Sequence, residues 1–182
     1  MGLAMAVSGT EKPSEGPVLR IVRERPWILL ILARVLDLGG GTFTATEIAE
    51  SLGVRSYIVQ RALWWLKKYG FVEEVAGTVP RKYRLKSVED PRVSDIRQFR
   101  WICGNTVVLM ISDLYVVLIN RGDDIVARVI PKELVENVQK VLQSVGDKRD
   151  INELSKALNL APPVIATALR VLDTLFCKRA KQ

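Results

Sequence analysis

The chain has 182 residues and 48% hydrophobic content, enough for one or two small cores, and contains no histidine. The lack of histidine excludes His-based triads, histidine metal sites and the commonest general base. Twenty-seven Lys and Arg against 20 Asp and Glu give a net charge of +7, and the stretch from Arg55 to Lys86, with eight cations and two anions, holds six of it.

In chain order, residues 1–17 carry Gly, Ser, Pro and Glu without an apolar period and are expected to be a disordered tail. Met1 to Val7 is too short and weakly charged for a signal peptide, and the apolar runs Trp27 to Ala33 and Thr106 to Ile111 cannot span a bilayer. A cytoplasmic location without a membrane partner is expected. Pro26 suits a first helical position, and Trp27 to Leu38 follows as a helix stopped by Gly39-Gly40-Gly41. These glycines lack the Gly-Lys-Ser/Thr ending of a phosphate-binding loop and the spacing of a dinucleotide fingerprint. Thr44 to Leu52 reads as a second helix, with Thr44 and Glu47 in capping-box positions. After the turn at Gly53-Val54, Val59, Ala62, Leu63, Leu66 and Tyr69 recur at three- and four-residue steps, the buried face of a third helix.

The opposite face of that third helix carries Ser56, Tyr57, Gln60, Arg61, Trp64, Lys67 and Lys68, groups suited to base edges and phosphates. Trp65 is expected to pack against Ile58 and Tyr69 or the following hairpin, whereas its neighbour Trp64 faces a groove or another surface. Gly70 supplies a left-handed cap, and Phe71 to Val75 and Arg81 to Leu85 form two strands joined by a turn at 76–80. Ile48, Ala49, Leu52-Gly53-Val54, Val59, Ala62-Leu63, Leu66, Gly70-Phe71-Val72 and Arg81-Lys82-Tyr83-Arg84 together resemble the winged helix-turn-helix superfamily of MarR-, GntR- and PadR-like regulators. The resemblance covers roughly residues 26 to 86 and departs from the family at Arg55, where Ser or Thr often caps the recognition helix. It implies base contacts from Ser56, Tyr57, Gln60 and Arg61, and phosphate contacts from Arg55, Lys67, Lys68, Arg81, Lys82 and Arg84.

Pro91 to Asp95 reads as a linker. Thr106 to Ile111, Leu114 to Asn120 and Ile125 to Val129 are expected to form a three-stranded antiparallel meander, apolar on both faces and therefore covered on both. Arg121-Gly122-Asp123 is simply one of its turns. Cys103 and Cys177 lack companion ligands and read first as buried small hydrophobes, with a disulfide as the alternative in a composition that hints at a thermophile.

Sliding the sequence by 106 residues lays Leu52 on Leu158, Val59 on Ile165, Ala62-Leu63 on Ala168-Leu169 and Leu66 on Leu172, which predicts a second, degenerate helix-turn-helix with Asp150 as an N-cap. Its outward positions, Ala161, Pro162, Pro163, Ala166, Thr167 and Arg170, offer few donors to a base. Lys178, Arg179 and Lys181 follow as a basic tail. The first helix carries Trp27, Leu30, Ile31 and Leu38 where the second copy has polar residues, an apolar face to be covered by the meander or, as dimeric regulators favour, by a second chain or protein partner.

The expected fold class is α+β, mainly α: tandem winged helices, 18–90 and 131–182, flanking a linker and meander at 91–130. The expected function is sequence reading on double-stranded DNA as a transcriptional regulator, the alternative being a tandem winged-helix scaffold for protein complexes. No constellation supports catalysis, a metal or a cofactor.

Overall fold

The structure, a computed structural model, describes residues 15–146 and 149–177; most of the expected N-terminal tail and the basic residues Lys178, Arg179 and Lys181 lie outside them. The described residues form a mixed architecture of eight α-helices and two antiparallel sheets. Among these residues no helix is long and apolar enough to cross a membrane.

The expected tail runs into a helix. Pro17 starts α1 (Pro17–Glu24), the Asp90 carboxylate accepts the Val18 N–H at 3.0 Å, and Val18, Ile21 and Val22 are buried. A 3-10 turn, Pro26–Ile28, leads into α2 (Leu29–Leu38), shorter than the helix expected from Trp27. Strand β1 (Thr42–Thr44) precedes α3 (Ala45–Leu52), whose capping box is present: Thr44 Oγ1 accepts from the Glu47 N–H at 3.1 Å, and a Glu47 carboxylate oxygen accepts from the Thr44 N–H at 3.0 Å. Gly53 turns the chain at φ 66° into α4 (Ser56–Lys68). Strands β2 (Val72–Val75) and β3 (Lys82–Leu85) form the hairpin, and β1 adds to it in the order β1-β3-β2.

The expected linker is helical. α5 (Arg92–Gln98) runs through it and β4 (Arg100–Cys103) follows, so the meander has four strands, completed by β5 (Thr106–Ile111), β6 (Leu114–Asn120) and β7 (Ile125–Pro131) in sequential order. The last three lie where their apolar runs predicted. Beyond them, α6 (Lys132–Ser144), α7 (Ile151–Leu158) and α8 (Pro162–Leu175) pack together. The 106-residue offset carries α3 onto α7, the N-cap Thr44 onto the N-cap Asp150, and left-handed Gly53 onto left-handed Asn159.

Two hydrophobic cores meet across the second sheet. Leu109, Ile111, Val116, Leu118 and Ile125 point into the core built on α1–α4, while Val108, Tyr115, Val117 and Ile130 point into that of α6–α8. The alternation of strand side chains sends successive residues to opposite cores, so both faces of the sheet are covered within one chain.

This arrangement takes Leu30 and Ile31 out of the expected partner interface on the first helix. Leu30 is 5% and Ile31 0% exposed in the first core, Trp27 packs against that core, and Leu38 alone of the four is exposed. The cover chosen by the fold is the chain's own sheet and helices. Cys103 and Cys177 are also joined in a disulfide, with Cα atoms 6.0 Å apart, tying the end of α8 to β4 rather than acting as free buried thiols.

Candidate nucleic-acid interface

Helix α4 displays its polar face as the periodicity predicts. Ser56, Gln60, Arg61, Lys67 and Lys68 are exposed, as are half of Tyr57 and half of Trp64, while Ile58, Val59, Ala62, Leu63 and Leu66 are buried. The same 3.6-residue period that fills the core thus leaves a continuous outward stripe. Beside it the hairpin exposes Arg81, Lys82 and Arg84, and a cleft of about 430 Å³ between the two is lined by Thr46, Gln60, Trp64, Lys67, Glu74 and Arg81.

The cations on this surface differ in their engagement. Glu74 pairs with Lys67 at 3.4 Å and with Arg81 at 3.7 Å, and Glu73 pairs with Arg84. These solvent-facing pairs are weak and give way to a stronger anion. Lys82 forms no ion pair among the described residues, and Lys68 Nζ lies 4.2 Å above the Trp64 ring. Arg61 is placed 5.7 Å over the Trp27 ring.

The start of α4 is not open. The β6–β7 turn, Arg121 to Asp124, is docked on it: the Arg55 N–H donates to the Gly122 carbonyl at 3.0 Å, Arg55 Nε to Asp123 Oδ1 at 2.7 Å, and Tyr57 Oη to the Asp123 carbonyl at 2.9 Å. Asn120 Nδ2 donates to the Leu52 carbonyl at 2.6 Å, and Asn120 Oδ1 accepts the Gly122 N–H at 2.9 Å. Gly122, at φ 81°, supplies the left-handed turn, and a Cβ there would stand 3.6 Å from the Gly53 carbonyl. The hydrogen bond to Asp123 raises the Arg55 guanidinium above its ordinary range. Tyr57 therefore has its hydroxyl engaged within the chain, and Arg55 is approached by an acid.

At the other end of α4, Arg25 stacks 3.2 Å over the Trp65 ring, and Tyr69 Oη both donates to Glu24 at 2.6 Å and accepts from Arg25 at 3.1 Å. Trp65 packs with Tyr69 as the sequence suggested, and it also meets a cation from the unanticipated end of α1. Asn120, Asp123 and Arg25 are the residues packed around α4 that local pattern did not reveal. Their partners lie 40 or more residues away, and only the turn signal at Asp123 was visible.

On α8 the equivalent positions are bare. Ala161, Pro162, Pro163 and Ala166 are exposed, the Thr167 hydroxyl donates to the Pro163 carbonyl at 3.0 Å, and Arg170 reaches Thr106 Oγ1 at 3.5 Å. Among the described residues no group of His, Cys, Asp and Glu is placed to hold a metal ion. The chain matches no protein-family model, no curated protein and no solved structure.

Proposed function

We propose that the protein binds double-stranded DNA as a tandem winged-helix regulator, presenting α4 to the major groove and the β2–β3 hairpin to phosphates. The observation that carries this reading is the outward stripe of α4, Gln60, Arg61, Trp64, Lys67 and Lys68, lying beside Arg81, Lys82 and Arg84 in the stretch that holds six of the chain's seven net positive charges. The 106-residue correspondence of cap, turn and helix supports the tandem arrangement. The α8 surface, nearly free of donors, suits assembly better than base reading.

Neutralising about 4 to 6 phosphates would make affinity fall steeply with salt. Gln60→Ala should cost about 1–3 kcal/mol at a preferred sequence, and Lys82→Ala should weaken all sequences alike. Binding of the purified chain to random and upstream duplexes across a salt series tests this. Absence of binding even at low salt overturns it.

A second reading, a tandem winged-helix scaffold for proteins, is favoured by the acidic turn held at the start of α4. A protein complex that survives charge reversal at Arg61, Lys67 and Arg84 would decide for the scaffold.

A further inference from the structure

We propose that Arg55 reads a guanine and that Asp123 is the positioning residue that presents it, an inference that rests on the duplex-reading function above. Resemblance alone gives Arg55 a phosphate. Its surroundings in the fold argue otherwise. Asp123 contacts Nε, on one edge of the guanidinium, and the side chain is 67% exposed, which leaves the Nη1 and Nη2 N–H groups for a ligand. A fixed pair of donors at the start of the recognition helix matches the two acceptors that guanine alone presents side by side in the major groove, N7 and O6.

The neighbouring acids select between the two ligands. Asp123 is itself 75% exposed and Asp124 next to it is exposed as well, so a phosphate placed on Arg55 would meet two carboxylates. A neutral base edge meets no such repulsion. The carboxylate that penalises a phosphate therefore costs a guanine little, and its hydrogen bond to Nε biases the arginine toward this rotamer before binding.

The turn that brings Asp123 is itself braced. Arg55 is held by its backbone N–H on Gly122, Tyr57 by its hydroxyl on the Asp123 carbonyl, and Asn120 ties the base of the turn to Leu52. Three contacts between the helix, its preceding turn and a short loop thus converge where the Asp123 carboxylate meets Arg55. Tyr57 becomes a brace for the reader rather than a reader.

The test is enrichment of bound duplexes from a random pool by the full chain, followed by affinity measurements on the preferred duplex and on one changed at a single G·C pair. The wild type should enrich an invariant G. Arg55→Ala should abolish preference at that position alone, a loss of about 5- to 150-fold on the preferred duplex. Asp123→Ala should weaken the same preference in part and add nothing in the Arg55→Ala background, because it acts through that side chain. Both residues are exposed, and a thermal melt of each variant establishes that it is folded. The proposal is overturned if Arg55→Ala weakens all duplexes equally, which marks a phosphate contact. It is also overturned if Asp123→Ala strengthens binding to all duplexes, which marks the turn as a shield over the helix. If the wild type binds DNA without any G preference, only this inference fails; if it binds no duplex at low salt, the proposed function fails with it.

Discussion

Asn120 stands at the junction of β6 with its turn, where one amide serves two backbone groups that belong to different parts of the fold. Asn120→Ala should leave the Leu52 carbonyl and the Gly122 N–H without these partners and cost about 1–3 kcal/mol in urea denaturation. Asn120→Asp keeps the acceptor for Gly122 but sets a carboxylate oxygen against the Leu52 carbonyl, so it should cost at least as much. Glu24 offers a second test at this scale. Its carboxyl is held below the ordinary range by the hydrogen bond from Tyr69 and then by Arg20. For a depressed carboxyl, the stabilisation is present above the unfolded-state pKa and is lost as pH falls through the lower folded value. Carboxyl NMR should show Glu24 protonating at lower pH than an unperturbed glutamate, and Tyr69→Phe should move that titration upward. The exposed residues of α4 were legible in the sequence because helical period is local. The Arg55–Asp123 pair was not, because its members lie 68 residues apart and no local spacing encodes their meeting.

Helices α3 and α7 begin at matched caps, and the two caps work differently. Thr44 shares a reciprocal box with Glu47, whereas Asp150 accepts from the N–H groups of Asn152 and Glu153. Thr44→Ala and Asp150→Ala should each lower stability by about 1 kcal/mol. Both caps were readable beforehand, since a short polar residue before an apolar period is a local signal. Other elements gave no such signal. α1 buries only Val18, Ile21 and Val22 among its arginines, β1 has three residues, and β4 alternates for only four. Their identity comes from pairing and packing: β1 exists because β3 receives it, and the start of α1 is held by a carboxylate from Asp90. The disulfide likewise depends on where β4 and the end of α8 meet. It closes a sequence separation of 74 residues, so loop entropy assigns it up to about 4 kcal/mol. Cys177→Ser should lower the denaturation midpoint accordingly, and wild-type protein kept from reductant should resist thiol labelling until it is reduced.

The four-stranded sheet makes the two halves of the molecule one object. Each of β5, β6 and β7 sends alternate side chains into the α1–α4 core and the α6–α8 core, so neither core closes without the same strands. The sequence disclosed that both strand faces were apolar and that α2 had an apolar face. It could not disclose that these surfaces cover one another, because apolar pattern reports a need for burial and not the identity of the cover. Unfolding should therefore be a single cooperative transition rather than two. Leu118, fully buried, serves the first core, and Ile130, 2% exposed, serves the second. Leu118→Ala and Ile130→Ala should each cost about 2–5 kcal/mol and lower one shared midpoint. Calorimetry with parallel circular dichroism reads this directly. If Ile130→Ala instead split the transition and left an early phase confined to the C-terminal helices, the sheet would belong energetically to the first core alone. The contact between the β6–β7 turn and the start of α4 would then persist after the second core had melted. Coincident transitions in both variants would instead make α4, its bracing turn and the C-terminal helices parts of a single folding unit, in which a change on α8 is felt at α4.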